Sequence, residues 1–216
     1  MASRLTIGVA TTLALAATGA AVAQPKAQHG ADPALARAQS IIDGAGAKGL
    51  FTAGATAAGS YAQHVKSGMV CRFEPTSTAN QIKIFDSGAT RGDDVGCGAK
   101  VRGITSTLFA VRSKSDADVP KTETQTLADF KRQFPDAVEY KGAVSGVTDK
   151  GRPIMAIARM SSPSKGQFMR AVAFRMGGWV YSQTIIAPAA SAVQADDYAE
   201  TQLTILIKDI RAGRAL

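Results

Sequence analysis

The 216-residue sequence is poor in the residues that carry most catalytic chemistry. It has two cysteines, two histidines and one tryptophan, and aromatic residues make up 6% of it. No CxxC or CxxCH occurs, so a thioredoxin-like redox pair and a c-type haem attachment have no foothold. The GxxxxGK[ST], HExxH and GxSxG patterns are also missing, which removes P-loop, zinc-protease and α/β-hydrolase readings. No metal-ligand set is present, and no cofactor is expected. The chain is basic, at formal net charge +8, but its lysines and arginines are scattered. Without a cationic run there is no nucleic-acid arm, and a solvated surface with a mild affinity for anions is expected.

A long uncharged stretch lies at the start: MASRLTIGVATTLALAATGAAVAQ. Arg4 forms a short positive region, Leu5 to Ala20 carries no charge, and Ala21-Val22-Ala23 offers the small residues a signal peptidase requires. The pattern predicts a signal peptide over residues 1–23, cleaved after Ala23. The competing membrane-anchor reading is disfavoured by the Ala, Gly and Thr content, which gains little from lipid. No cysteine follows the site to take a lipid, and no Arg-Arg pair precedes it. Arg4 is the only charge in those 23 residues, so the mature chain of 193 residues keeps 24 basic and 17 acidic side chains, +7. It is expected to be periplasmic or secreted, with no integral membrane segment.

An oxidising destination changes the meaning of Cys71 and Cys97. An even pair there predicts a disulfide rather than two thiols. It would draw the strand at Met69–Phe73 towards the one at Val95–Val101.

Along the mature chain, an N-terminal extension over residues 24–66 precedes a domain over 67–216. Asp32-Pro33 is an N-cap followed by proline in the first turn, opening a helix through Ile42. Residues 43–60 mix alanine and glycine and read as a second weak helix or a close-packed loop. Strands follow at 69–73, 81–85, 95–101 and 104–112. Thr122-x-x-Gln125 has capping-box spacing for a helix that Pro135 ends. Further strands are predicted at 137–144, 153–161, 167–176 and 179–187, with Gly177-Gly178 as a two-residue hairpin turn. Ser191-x-x-Gln194 opens a last helix whose stripe is Ala199, Leu203, Leu206 and Ile210. Strands 153–161 and 167–176 are apolar on both faces, so helices should cover both sides. The fold class predicted is α+β: a mostly antiparallel sheet between helical layers, an α/β/α sandwich.

The helix at Thr124–Phe134, the strand at Val138–Val144, the meander from Pro153 to Ala187, and Trp179-Val180-Tyr181-Ser182-Gln183-Thr184 running through Ala187-Pro188 into a final amphipathic helix together resemble the PsbP-like fold. That fold occurs in the photosystem subunit PsbP and in bacterial envelope proteins such as DcrB. The resemblance spans roughly residues 67–211 and implies a non-enzymatic binding or assembly protein with no catalytic residues to carry over.

Three clusters are candidate sites. His64 could act as a base on Ser67 if an acid such as Asp93 or Asp94 oriented the ring, giving a secreted hydrolase; the alternative is a turn before a strand. Asp93 and Asp94 could instead hold a cation, though calcium needs six or more oxygens, or form an acidic loop tip. Arg159, Arg170 and Arg175 lie on adjacent strands. They would sit at strand ends, pair with a carboxylate such as Asp196 or Asp197, or line an anion-binding groove. The expected partner is therefore an envelope protein or an anionic ligand.

Overall fold

The computed structural model describes residues 32–86, 90–144, 153 and 155–213; the expected signal peptide lies outside them. Its order is helix α1 (Pro33–Gly44), strands β1 (Phe51–Thr56), β2 (Gly59–His64), β3 (Val70–Phe73), β4 (Gln81–Ile84), β5 (Asp94–Val101) and β6 (Ile104–Arg112), and helix α2 (Asp118–Gln133). Strands β7 (Val138–Glu139), β8 (Met155–Ser162), β9 (Gln167–Met176) and β10 (Trp179–Pro188), a 3₁₀ turn and helix α3 (Ala192–Gly213) follow. The fold is α+β with antiparallel sheets, as the sequence implied.

Two sheets are present. The larger runs β4-β5-β6-β10-β9-β8-β7, and the smaller runs β1-β2-β3. The smaller sheet corrects the reading of residues 43–60 as helix or loop. Alanine and glycine there give no β signal, yet Gly54 stands directly opposite Tyr61. A Cβ on Gly54 would come within 2.1 Å of that ring, so the missing side chain is what lets the tyrosine lie across its neighbour. Ala38, Ile42, Phe51 and Ala62, from before the expected boundary at residue 66, share one core with Trp179, Tyr181 and Leu203 from beyond it.

Local chemistry explains most of the elements. Asp32 caps α1 by accepting the Ala34 N–H at 2.9 Å. Gly177 and Gly178 adopt φ of 53° and 81°, the left-handed pair that a two-residue hairpin requires. Helix α2 begins four residues before the expected capping box. Ser113 Oγ donates to Asp118 at 2.6 Å, and Thr122 Oγ1 donates back to the Asp118 carbonyl at 2.7 Å, as a residue inside a helix does. The strand expected over 137–144 narrows to Val138–Glu139, after which a single further bond joins Tyr140 N–H to the Arg159 carbonyl.

The large sheet is covered on both faces, though unevenly. On one face Phe130 of α2 and Phe134, its C-cap residue, pack on Met160, Met169 and Ala171, and Val119 packs on Ala173 and Val180. On the other, Leu203, Leu206 and Ile210 of α3 pack with Phe174, Trp179 and Tyr181, joined by α1 and the small sheet. All four residues of the predicted α3 stripe are buried. The Cys71–Cys97 disulfide ties β3 to β5, Cα to Cα at 6.0 Å, and so pins the small sheet to the large one. No helix among the described residues is long and apolar enough to cross a membrane.

Candidate functional site

The structure does bring His64 and Ser67 together. Strand β2 ends at His64, a tight turn follows, and Ser67 Oγ lies 2.8 Å from His64 Nδ1. Both belong to the core: His64 has no exposed surface and Ser67 retains 3%. The Ser67 amide also donates to Nδ1, at 3.3 Å, so Nδ1 is the acceptor and the ring proton is assigned to Nε2. Nε2 lies near the Gly92 carbonyl but forms no hydrogen bond of good geometry. Ser67 Oγ accepts the Met69 N–H at 3.2 Å, and the Ser67 carbonyl accepts from the Tyr181 hydroxyl at 2.6 Å.

This arrangement suits a turn better than a nucleophile and base. Burial, reinforced by the Lys66 ammonium, pulls the His64 pKa down to about 4 against the opposing pull of Asp93 and Gly92. Phe51 and Trp179 rings flank the imidazole at 5.0 and 5.5 Å. Asp93, the expected orienter, instead accepts from Lys66 Nζ at 2.9 Å, and that bond holds its carboxyl below the usual range. Asp94 lies within β5. Among the described residues no three His, Cys, Asp or Glu side chains converge as metal ligands.

The three arginines divide. Arg159 and Arg170 are register partners on β8 and β9 and share the α3 side of the sheet, whereas Arg175 falls on the α2 side and pairs with Asp116 at 2.8 Å. Arg159 binds Asp196 through both Nε (2.7 Å) and Nη2 (3.1 Å). Arg170, fully buried, reaches Asp196 at 3.0 Å, pairs closely with Glu200, and donates to Gln183 at 3.2 Å. Each of the three arginines therefore forms an ion pair, Arg159 and Arg170 with Asp196 and Arg175 with Asp116, and Arg170 is wholly internal. Arg159 differs in keeping 18% of its side chain exposed, and the stretch of β8 that carries it, residues 157–160, borders a groove.

That groove, about 990 Å³, opens between α2 and the β7–β8 edge of the sheet. Leu127 of α2 and Met160 of β8 form its apolar wall on the α2 side, and Ile157 and Tyr140, which pack towards the α3 side, border it along the strand edge. Val138 and Val144 stand at its rim, 53% and 45% exposed. Lys131 and Lys141 contribute positive charge, and Glu139 pairs with Lys141. Of the residues along it the sequence singled out Arg159 alone. The rest carry no motif and meet only because β7 stops after two residues.

Comparison of the chain with family models, with curated proteins and with solved structures gave no match to any of them.

Proposed function

We propose that this is an exported binding protein of the cell envelope that performs no catalysis and holds its ligand in the groove between α2 and β8. The observation that carries the reading is the contrast between that groove and the His64–Ser67 turn. One is open, apolar and rimmed by cations; the other is sealed, with its hydroxyl and imidazole already engaged. A concave apolar surface with a few fixed polar groups is the usual form of a small-ligand site. Export is supported by the first 23 residues and by the disulfide, which persists in oxidising compartments. The resemblance to PsbP-like envelope proteins points the same way.

The test is to purify the protein from its own envelope, extract it with organic solvent and identify what was carried. Filling the groove with Ala158→Trp should empty the extract. An extract unchanged by that variant would end the proposal. The second reading, a hydrolase, draws on the 2.8 Å contact between His64 and Ser67. A fluorophosphonate probe should leave Ser67 unlabelled; labelling that His64→Gln abolishes would favour the hydrolase.

A further inference from the structure

Resting on that reading of the groove, we propose that its ligand is a short peptide, held in extended form as an added strand on the edge of β8. Strand β7 pairs with Ser161 and Met160, and one more bond, from the Tyr140 N–H to the Arg159 carbonyl, ends the ladder. Strand β8 runs on through Ala158 to Met155 with β9 along its other side. In an antiparallel strand the N–H and C=O of one residue point the same way, and successive residues alternate. The Arg159 carbonyl points outward, so the main-chain groups of Ile157 and Met155 do too. They have no partner among the described residues.

This edge lies along the groove, where Ile157 and Ala158 border it. Exposed edges are normally guarded by lysine, proline or a bulge. Met155-Ala156-Ile157-Ala158 contains neither lysine nor proline, and its register with β9 is unbroken. The charge that follows, Arg159, is drawn back towards α3 by Asp196. An alkyl chain or a sugar ring covers apolar walls but does not match a row of N–H and C=O groups; a second main chain does both.

An added strand also accounts for a groove whose walls belong to two faces of the sheet. Its side chains alternate between those faces. Those opposite Ala158 turn to the α2 side, towards Leu127 and Met160. Those opposite Ile157 turn to the α3 side, where Ile157 and Tyr140 pack. Both sets meet apolar surface, so aliphatic residues at successive positions are selected. Because β7 already holds the edge opposite Met160 and Ser161, the peptide is limited to the stretch facing Met155 to Arg159.

The test uses the purified full-length chain and a fluorescein-labelled peptide of four valines between lysines, followed by anisotropy. Binding should be saturable and should slow hydrogen exchange at the Ile157 amide. N-methylating alternate valine amides leaves one edge of the peptide free and should be tolerated. N-methylating two adjacent amides blocks both edges and should weaken binding about tenfold, as expected for the loss of one or two main-chain hydrogen bonds. Ile157→Pro removes an outward N–H that β9 does not use, a change an edge strand admits, and should weaken the peptide about as much. The two methylated peptides keep the test decisive if that variant fails to fold, because they read the unaltered chain. No saturable binding, equal affinity of the methylated peptides, or unmoved exchange at Ile157 overturns the added strand. The groove reading survives any of these if Ala158→Trp still empties the envelope extract. It falls together with this inference if Ala158→Trp leaves both the extract and peptide binding unchanged.

Discussion

Arg159 and Arg170 stand directly opposite each other on neighbouring strands, and both reach the same carboxylate, that of Asp196 on α3. Two like charges facing across a ladder repel. Asp196 makes the pairing tolerable and fastens α3 to the sheet. Asp196→Ala should therefore cost roughly 3–5 kcal/mol, the penalty of stranding buried charge. Urea unfolding measures it. A loss below 1 kcal/mol would mean that other groups neutralise the arginines.

The disulfide between the two sheets should matter as much as a core residue. It closes a loop with a sequence separation of 26, which should contribute on the order of 3–4 kcal/mol by constraining the unfolded chain. Unfolding with and without reductant, or with Cys71→Ser and Cys97→Ser together, reports the difference. Identical midpoints would show that the small sheet is held without the crosslink.

His64 gives stability a slope at mildly acidic pH. Its pKa is about 4 when folded against 6.5 in the open chain, so between these values the unfolded state binds the extra proton. Stability should thus fall as pH drops from 6.5 towards 4, by about 3 kcal/mol in all, and this loss should level off below that. His64→Gln should flatten the slope between pH 6.5 and 5. A slope unchanged in the variant would remove His64 as its source.

Asp136 acts in a lower range. Its carboxylate accepts from Ser162 Oγ at 2.6 Å and from the Ser164 N–H at 2.7 Å, holding the β8–β9 turn, and these bonds lower its pKa to about 2. The folded pKa is depressed, so the contribution is complete above about 3.8 and is lost as pH falls through about 2. Titration of the Asp136 carboxyl by NMR should give a midpoint near 2, moving up towards the ordinary value in Ser162→Ala. A midpoint near 3.8 in the unaltered protein would refute the assignment.

Gly96 cannot accept a side chain. It pairs with Phe109 across the ladder, and a Cβ would approach that ring to 2.6 Å and the Leu108 carbonyl to 3.1 Å. Gly96→Ala should destabilise by about 1–3 kcal/mol, the usual cost of overpacking. Combining it with Phe109→Ala should recover part of that loss in a double-mutant cycle. Gly44, with nothing within 4 Å of a Cβ, is the control.

What could be read in advance was whatever local chemistry determines. Gly177-Gly178 announced a hairpin, Asp32-Pro33 a helix start, and the 4-3-4 spacing of α3 its buried face. The cysteine pair located a contact between strands 26 residues apart. Strands β1 and β2 were hidden because their alanines and glycines form strands only where Tyr61 and the core make room for them. The His64–Ser67 spacing correctly suggested proximity, but a spacing carries no information about burial, and burial decides what the pair can do. The groove was hidden for a related reason. It exists because β7 is two residues long and α2 rests on the inner strands, and no stretch of sequence encodes that offset by itself.

The order of the strands also bears on how the chain assembles. The small sheet and both cysteines lie within the first half of the chain, among contacts close in sequence. The large sheet instead closes at its centre by pairing β6 with β10, where Arg112 meets Trp179 across the whole of α2 and three intervening strands. Local pairings form quickly and distant ones slowly. A chain emerging from its N-terminus can thus oxidise its crosslink and complete one sheet while the other still lacks its central strand. Until β10 arrives, the apolar edge of β6 stands open, and it is then that such a chain is most exposed to association with its neighbours.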